Sequence, residues 1–207
     1  MNILLFGTTG RTGRHLLQLA GESAHHFTVF VRSPHRLPSP LPANVRVFQG
    51  DASDRVHIER AMSGIDGVIS CLSTDKQNLL STFTPHLVES MNKKGIKRAV
   101  TIGTAGILQS RTEPELFRFQ STESKRKSTT AARDHLAAYE ALRDSDLHWT
   151  IVCPTYLPDG EASGRIRAQA DVLPENPSRI TTGDTAEFAF REFFREEYTG
   201  HRVGLTE

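Results

Sequence analysis

The chain has little of what would commit it to several large classes. Only two cysteines, Cys71 and Cys153, occur in 207 residues. That excludes a disulfide framework and suits a reducing compartment. Basic and acidic residues nearly cancel, 25 against 24, so neither a nucleic-acid nor a membrane-surface binder is expected. No apolar run of about 18 residues is present, so no transmembrane span is expected. The apolar stretch at the amino end is short and follows no basic region, unlike a secretory leader. The expected location is therefore the cytoplasm. The G-x-S-x-G elbow of serine hydrolases is missing. None of the nine histidines sits at zinc-ligand spacing, so no metal is expected.

What is present is an alternation. Short apolar, β-rich runs appear at Ile3–Phe6, Phe27–Val31, Val45–Phe48, Val68–Leu72, Ala99–Ile102 and Trp149–Val152. Helical periodicity appears between them at Thr12–Ala20, Ser53–Met62, Gln77–Asn92 and Thr129–Arg143. A last helix, capped by Asp184, is expected to run to Phe194, with a final strand at Val203–Leu205. Strands alternating with helices imply parallel strands joined by right-handed crossovers. The strands are continuously apolar, as they must be when helices cover both sheet faces. The expected fold is therefore a single α/β domain, a doubly wound and mostly parallel sheet, over residues 1–207.

Two segments break the alternation: a polar, basic one at about 104–128, containing "SKRKS", and a Pro/Gly/Asp-rich one at 154–182. Both follow strands, so both should emerge at the carboxyl edge of the sheet, where open α/β folds bind ligands.

The opening "LLFGTTGRTGRHLL" carries Gly7, Gly10 and Gly13 between the first strand and the first helix. Glycine there permits positive φ and lets a ligand approach the backbone. The amide groups at the helix start then face an anion, helped by the helix dipole. Thr8, Thr9 and Thr12 add hydroxyl donors. This strand–turn–helix context points to a dinucleotide. Arg32 ends the second strand, 19 residues after Gly13, where an acidic residue would favour NAD and an arginine a 2′-phosphate. Arg36 lies one turn on, Ser33 lies between them, and Arg11 is expected to join the cluster. NADP(H) is the expected cofactor. Asp51-Ala52 follows the third strand, where the aspartate suits either the adenine amino group or a helix cap. Cys71, Leu72 and Ser73 end the fourth strand, and strand order puts Cys71 and Cys153 about 9–10 Å apart, beyond disulfide reach.

"GTTGRTG", "VFVRSPHRLP", "GDAS", "DGVISCLST" and "LHWTIVCPTYL" together resemble the atypical short-chain dehydrogenase/reductases, in the NmrA-like branch. Within it they are most similar to the group of NADPH-dependent flavin and biliverdin-IXβ reductases. The resemblance implies a Rossmann fold with NADP held by Gly7, Thr9, Gly10, Arg11, Thr12 and Gly13. It places Arg32, Ser33 and Arg36 at the 2′-phosphate, Asp51 and Ala52 at the adenine, and Cys71, Leu72, Ser73, Thr104 and Pro154 along the rest of the cofactor. Thr104 takes the place of a family serine and Tyr156 that of a family histidine, which makes these two the catalytic candidates.

The superfamily's Tyr-x-x-x-Lys pair is absent: Tyr139 is followed four residues later by Arg143. Carbonyl chemistry that relies on a lysine-activated tyrosine is thus not supported. His135, where many relatives carry lysine, reads as a helix-surface or supporting group. The expected partner is a small-molecule acceptor with a flavin-like, biliverdin-like or quinone-like ring system, on a monomer or weak homodimer. Two alternatives stay open at this point: a non-catalytic NADP(H) sensor, and a reductase or epimerase of a small carbonyl or sugar compound.

Overall fold

A computed structural model describes residues 1–74, 78–124 and 128–207. The strands are β1 (Asn2–Phe6), β2 (His26–Val31), β3 (Val45–Gln49), β4 (Gly67–Ser70), β5 (Arg98–Ile102), β6 (His148–Pro154), β7 (Arg167–Ala170) and β8 (His201–Thr206). The helices are α1 (Arg11–Gly21), α2 (Arg55–Ala61), α3 (Leu79–Lys94), α4 (Thr130–Arg143) and α5 (Thr182–Arg195). They build one sheet in the order β3-β2-β1-β4-β5-β6-β8-β7. All pairs are parallel except β7 with β8. The first six positions form the Rossmann order.

The sheet is buried on both faces, as the continuous apolar runs require. Phe6, Phe83, Leu87, Met91 and Trp149 belong to the core on the side of α2, α3 and α4. Leu5, Leu16, Phe27, Phe193 and Val203 belong to the core under α1 and α5. The order reverses beside β1, which has β2 on one side and β4 on the other. A crevice opens at such a reversal, outside the carboxyl ends of the strands.

Several boundaries shift. β4 stops at Ser70, so Cys71 and Leu72 lie beyond it. The expected start of α3 at Gln77 lies outside the described residues, as does the 125–127 core of "SKRKS". β7 was not visible in the sequence: "RAQA" has no β-branched or aromatic residue, and only its pairing with β8 makes it a strand. Asp184 does not cap α5. Thr181 does, its hydroxyl accepting from the Asp184 N–H, while Asp184 sits inside the first turn. Asp51 does not cap α2 either. Asp54 does, accepting from the amides of Val56 and His57 at 2.8 and 3.2 Å.

Candidate active site

The turn after β1 is shaped by backbone proximity. Gly7 has φ +77°, and a Cβ on it would lie 2.6 Å from the Cys71 carbonyl carbon and 2.8 Å from the Leu72 nitrogen. A Cβ on Gly13 would lie 2.1 Å from the Gly7 carbonyl oxygen. The turn therefore presses against both the end of β4 and the start of α1. Gly10 caps α1 with no side-chain hydrogen bond, and the first turn of α1 has no acidic residue. The positive end of the helix is left to whatever anion arrives. Among the described residues, Thr8 Oγ1 is the one buried side-chain polar atom with no partner. It sits in this same turn.

Beside the turn is a cavity of about 320 Å³, lined by Gly7, Thr9, Arg32, Ser33, Arg36, Asp51, Ala52 and Leu72, with Phe30 and Thr82 among its other walls. Residues far apart in sequence are thereby gathered around one space. Thr12 and Gly13 are buried in α1 behind it. Asp51 accepts from the backbone and hydroxyl of Ser53 at 2.9 and 2.8 Å. Those bonds, more than the charge of Arg32, hold its carboxyl below the usual range. Arg11 is outside the cavity lining, and its guanidinium donates to the Leu157 carbonyl at 3.2 Å. Ser73 is exposed and outside the cavity lining. Desolvation pushes the Cys71 thiol up to about 12.

A second cavity, about 380 Å³, opens past the ends of β5 and β6. Thr104, Pro154 and Tyr156 line it, together with Arg118, Phe119, Glu123 and the start of α4 at Thr129. Thr104 Oγ1 accepts from the Gly106 N–H at 3.4 Å. The hydroxyl proton remains available to a bound molecule. Tyr156 is 67% exposed, so it stands at the mouth. Arg118, Phe119 and Glu123 carried no sequence signal beyond their place in a long segment after a strand.

The sequence profile of the NAD(P)H-binding family matches residues 7–196. The chain belongs to this family. Among solved structures, it is similar to a Burkholderia pseudomallei protein described as a candidate for export, at 26% identity over the whole of both chains with a TM-score of 0.85. ChuY, an anaerobilin reductase from Escherichia coli O157:H7, shares the fold at 24% identity over 100% of this chain and 97% of its own, with a TM-score of 0.80. So does a short-chain dehydrogenase/reductase from Veillonella parvula in complex with NADP, at 16% identity over 100% and 94% of the two chains, with a TM-score of 0.81.

In this NAD(P)H-binding protein, carboxylates that are buried or half-buried hold the loops at the carboxyl edge. Glu123 Oε1 accepts from the Ser110 hydroxyl, the Arg111 N–H and the Thr112 N–H at 2.9, 2.6 and 3.0 Å. These bonds outweigh its desolvation and keep its pKa low. Asp184 accepts from the Ser163 N–H, the Ser163 hydroxyl and the Gly164 N–H at 2.8, 2.9 and 2.8 Å, fastening the second long segment onto α5. Asp134, on α4, accepts from the Leu80 and Ser81 amides at 3.2 and 2.8 Å and so caps α3 from a neighbouring helix. His135 is buried, which removes the helix-surface alternative and leaves that of a supporting group, and it lines a void of about 20 Å³ with Ser70, Thr84, Thr101 and Tyr139. No helix among the described residues is long and apolar enough to cross a membrane.

Proposed function

We propose that this chain is an NADPH-dependent reductase that passes hydride to a flat conjugated acceptor, such as a flavin or a biliverdin-like or quinone-like compound. The observation that carries the reading is the pairing of two cavities on one sheet edge. One has a glycine turn and two arginines, and the other has Thr104 and Tyr156. The first lies beyond the ends of β1 to β4 and the second beyond β5 and β6, and neighbouring strands are only about 4.8 Å apart.

The residues fit the cofactor. A Cβ would fill the turn at Gly7 and Gly13, α1 has no side-chain cap bond and no carboxylate in its first turn, and Thr8 Oγ1 lacks a partner. Gly7, Thr9, Gly10, Thr12 and Gly13 would hold the diphosphate against the α1 amides. Arg32 and Arg36, with Ser33, would hold the 2′-phosphate, since guanidinium forks match phosphate oxygens. Asp51 and Ala52 would meet the adenine, and Leu72, Thr104 and Pro154 the nicotinamide half. NADPH, when bound, supplies the hydride. The chain itself aligns two ring faces and keeps them together, and orientation of this kind removes a large part of a barrier.

Tyr139 is an unsuitable acid. Its ring packs edge-on against Trp149 at 5.8 Å and under the Arg202 guanidinium at 4.5 Å. Thr104 can donate one hydrogen bond to the acceptor or the cofactor, and Tyr156 can cover the acceptor's outer face. The fold shared with ChuY, an anaerobilin reductase, supports keeping bilin-like acceptors among the candidates. The test follows loss of NADPH absorbance with riboflavin, FMN, biliverdin and quinones supplied in turn. Turnover with at least one is expected. Tight NADP(H) binding with no turnover on any would replace this reading with a sensor.

A further inference from the structure

The second cavity contains a charged group that hydride transfer leaves unused. Arg118 lines it, with a side chain 25% exposed. Its Nε donates to Glu123 Oε2 at 3.1 Å. Glu123 is in turn fixed by the Ser110, Arg111 and Thr112 donors on its other oxygen. The guanidinium is thus held by one edge. Its two Nη nitrogens take no hydrogen bond among the described residues. An arginine fixed in this way has already given up much of its side-chain freedom, so a ligand gains more from it. On the same cavity stand Thr129, Ala131 and Ala132 at the opening of α4. That helix start has no side-chain cap bond and no acidic residue in its first turn, which adds positive potential toward the same space.

We propose that Arg118 is a specificity-determining residue that binds an oxyanion, carboxylate or phosphate, carried by the acceptor. The inference rests on the proposed reading of this cavity as the acceptor site, and it narrows the substrate class to conjugated ring compounds bearing an acid group.

Two substrate pairs test it. Riboflavin and FMN share a ring and differ by a phosphate; biliverdin and its dimethyl ester share a chromophore and differ in ionised carboxylates. Steady-state reduction by NADPH is measured for the unaltered protein, R118M and R118K. In R118M the KM for FMN or for biliverdin rises at least about tenfold, the size expected for losing a hydrogen bond to a charged group. KM for the uncharged partner stays within about twofold and kcat holds, because the contact is equal in ground and transition states. R118K recovers part of the loss. The pair that responds distinguishes phosphate from carboxylate. Equal changes within both pairs, or none, overturn the proposal.

If no acceptor is turned over, the reductase reading fails and Arg118 is judged by binding alone. Flavin fluorescence quenching in the presence of NADP⁺ then shows FMN bound more tightly than riboflavin by the unaltered protein and equally by R118M. Equal binding by the unaltered protein overturns it. An unchanged Kd for NADPH shows that both variants keep the fold.

Discussion

The two cavities share one sheet edge but are built by different means. The one beside β1 is bounded by a tight turn, a helix start and the ends of β2, β3 and β4. Its shape comes from main chain in close contact, as at Gly7 and Gly13. The one beyond β5 and β6 is bounded largely by two long segments with little regular structure. Those segments are held by carboxylates that gather several donors each, Glu123 on the cavity wall for the first and Asp184, outside the lining, for the second. Regular elements fix the site for the invariant part of a reaction, the cofactor. Loops fixed by side chains are free to vary with the substrate.

The sharpest way to break the first cavity is Gly13→Ala. Inside most helices that change is stabilising by up to about 1 kcal/mol. Here the sign reverses, because the new methyl meets the Gly7 carbonyl oxygen at 2.1 Å. A loss of about 3 kcal/mol in stability and of measurable NADPH binding is expected in thermal melts and titrations. A wild-type melting temperature with intact NADPH affinity would show that the turn is looser than its geometry states. Ser124→Ala, on the second cavity, leaves NADPH binding unchanged.

Arg32→Asp tests the same cavity more gently. Removing one charged hydrogen-bonding partner of a phosphate and adding a repulsive carboxylate lowers preference for NADPH over NADH by about thirtyfold or more. Competitive titration with the two coenzymes measures it. An unchanged ratio removes Arg32 from the 2′-phosphate site and leaves Arg36 as the candidate.

The second region responds to acid. Glu123 and Asp184 are held below their ordinary values of 4.5 and 3.8 in the folded chain. Each therefore contributes stability that is fully present above its unfolded pKa and is lost as pH falls through its lower folded pKa. Denaturant melts at stepped pH should show stability falling below about pH 4.5. Asp184→Asn lowers stability at neutral pH by about 1–3 kcal/mol, because amides of Ser163 and Gly164 lose a charged acceptor, and it makes the acid limb shallower. Glu123→Gln raises the KM for the acceptor while the Kd for NADPH holds. A matching loss of NADPH affinity would mean that the two cavities are not independent.

The difference in construction also explains what the sequence made legible. Gly7, Gly10, Gly13, Arg32 and Arg36 stand at fixed offsets from strands and helices, so reading the elements located the first cavity. Offset says nothing about the direction of a long side chain such as Arg11, whose guanidinium donates to the Leu157 carbonyl. Thr104 and Pro154 were legible as strand ends. Arg118, Phe119 and Glu123 were not. Their positions depend on the bridge between Gln109 and Phe117 and on donors 11 to 13 residues from Glu123, and no local period encodes such contacts. Asp184 shows the same limit. Its place near a helix start suggests a cap, whereas its carboxylate fastens a loop about twenty residues upstream.

The smallest expected effect belongs to Tyr156, the second catalytic candidate. Its exposure makes a proton-relay role unnecessary, since water reaches the same place. If the ring serves as a cover, Tyr156→Phe keeps kcat and the acceptor KM within about twofold, while Tyr156→Ala raises that KM by about threefold to tenfold, the cost of losing one aromatic contact of about 0.5–1.5 kcal/mol. A fall in kcat in the phenylalanine variant would instead make the phenol a proton donor. The mouth of the second cavity would then do chemistry as well as select what enters it.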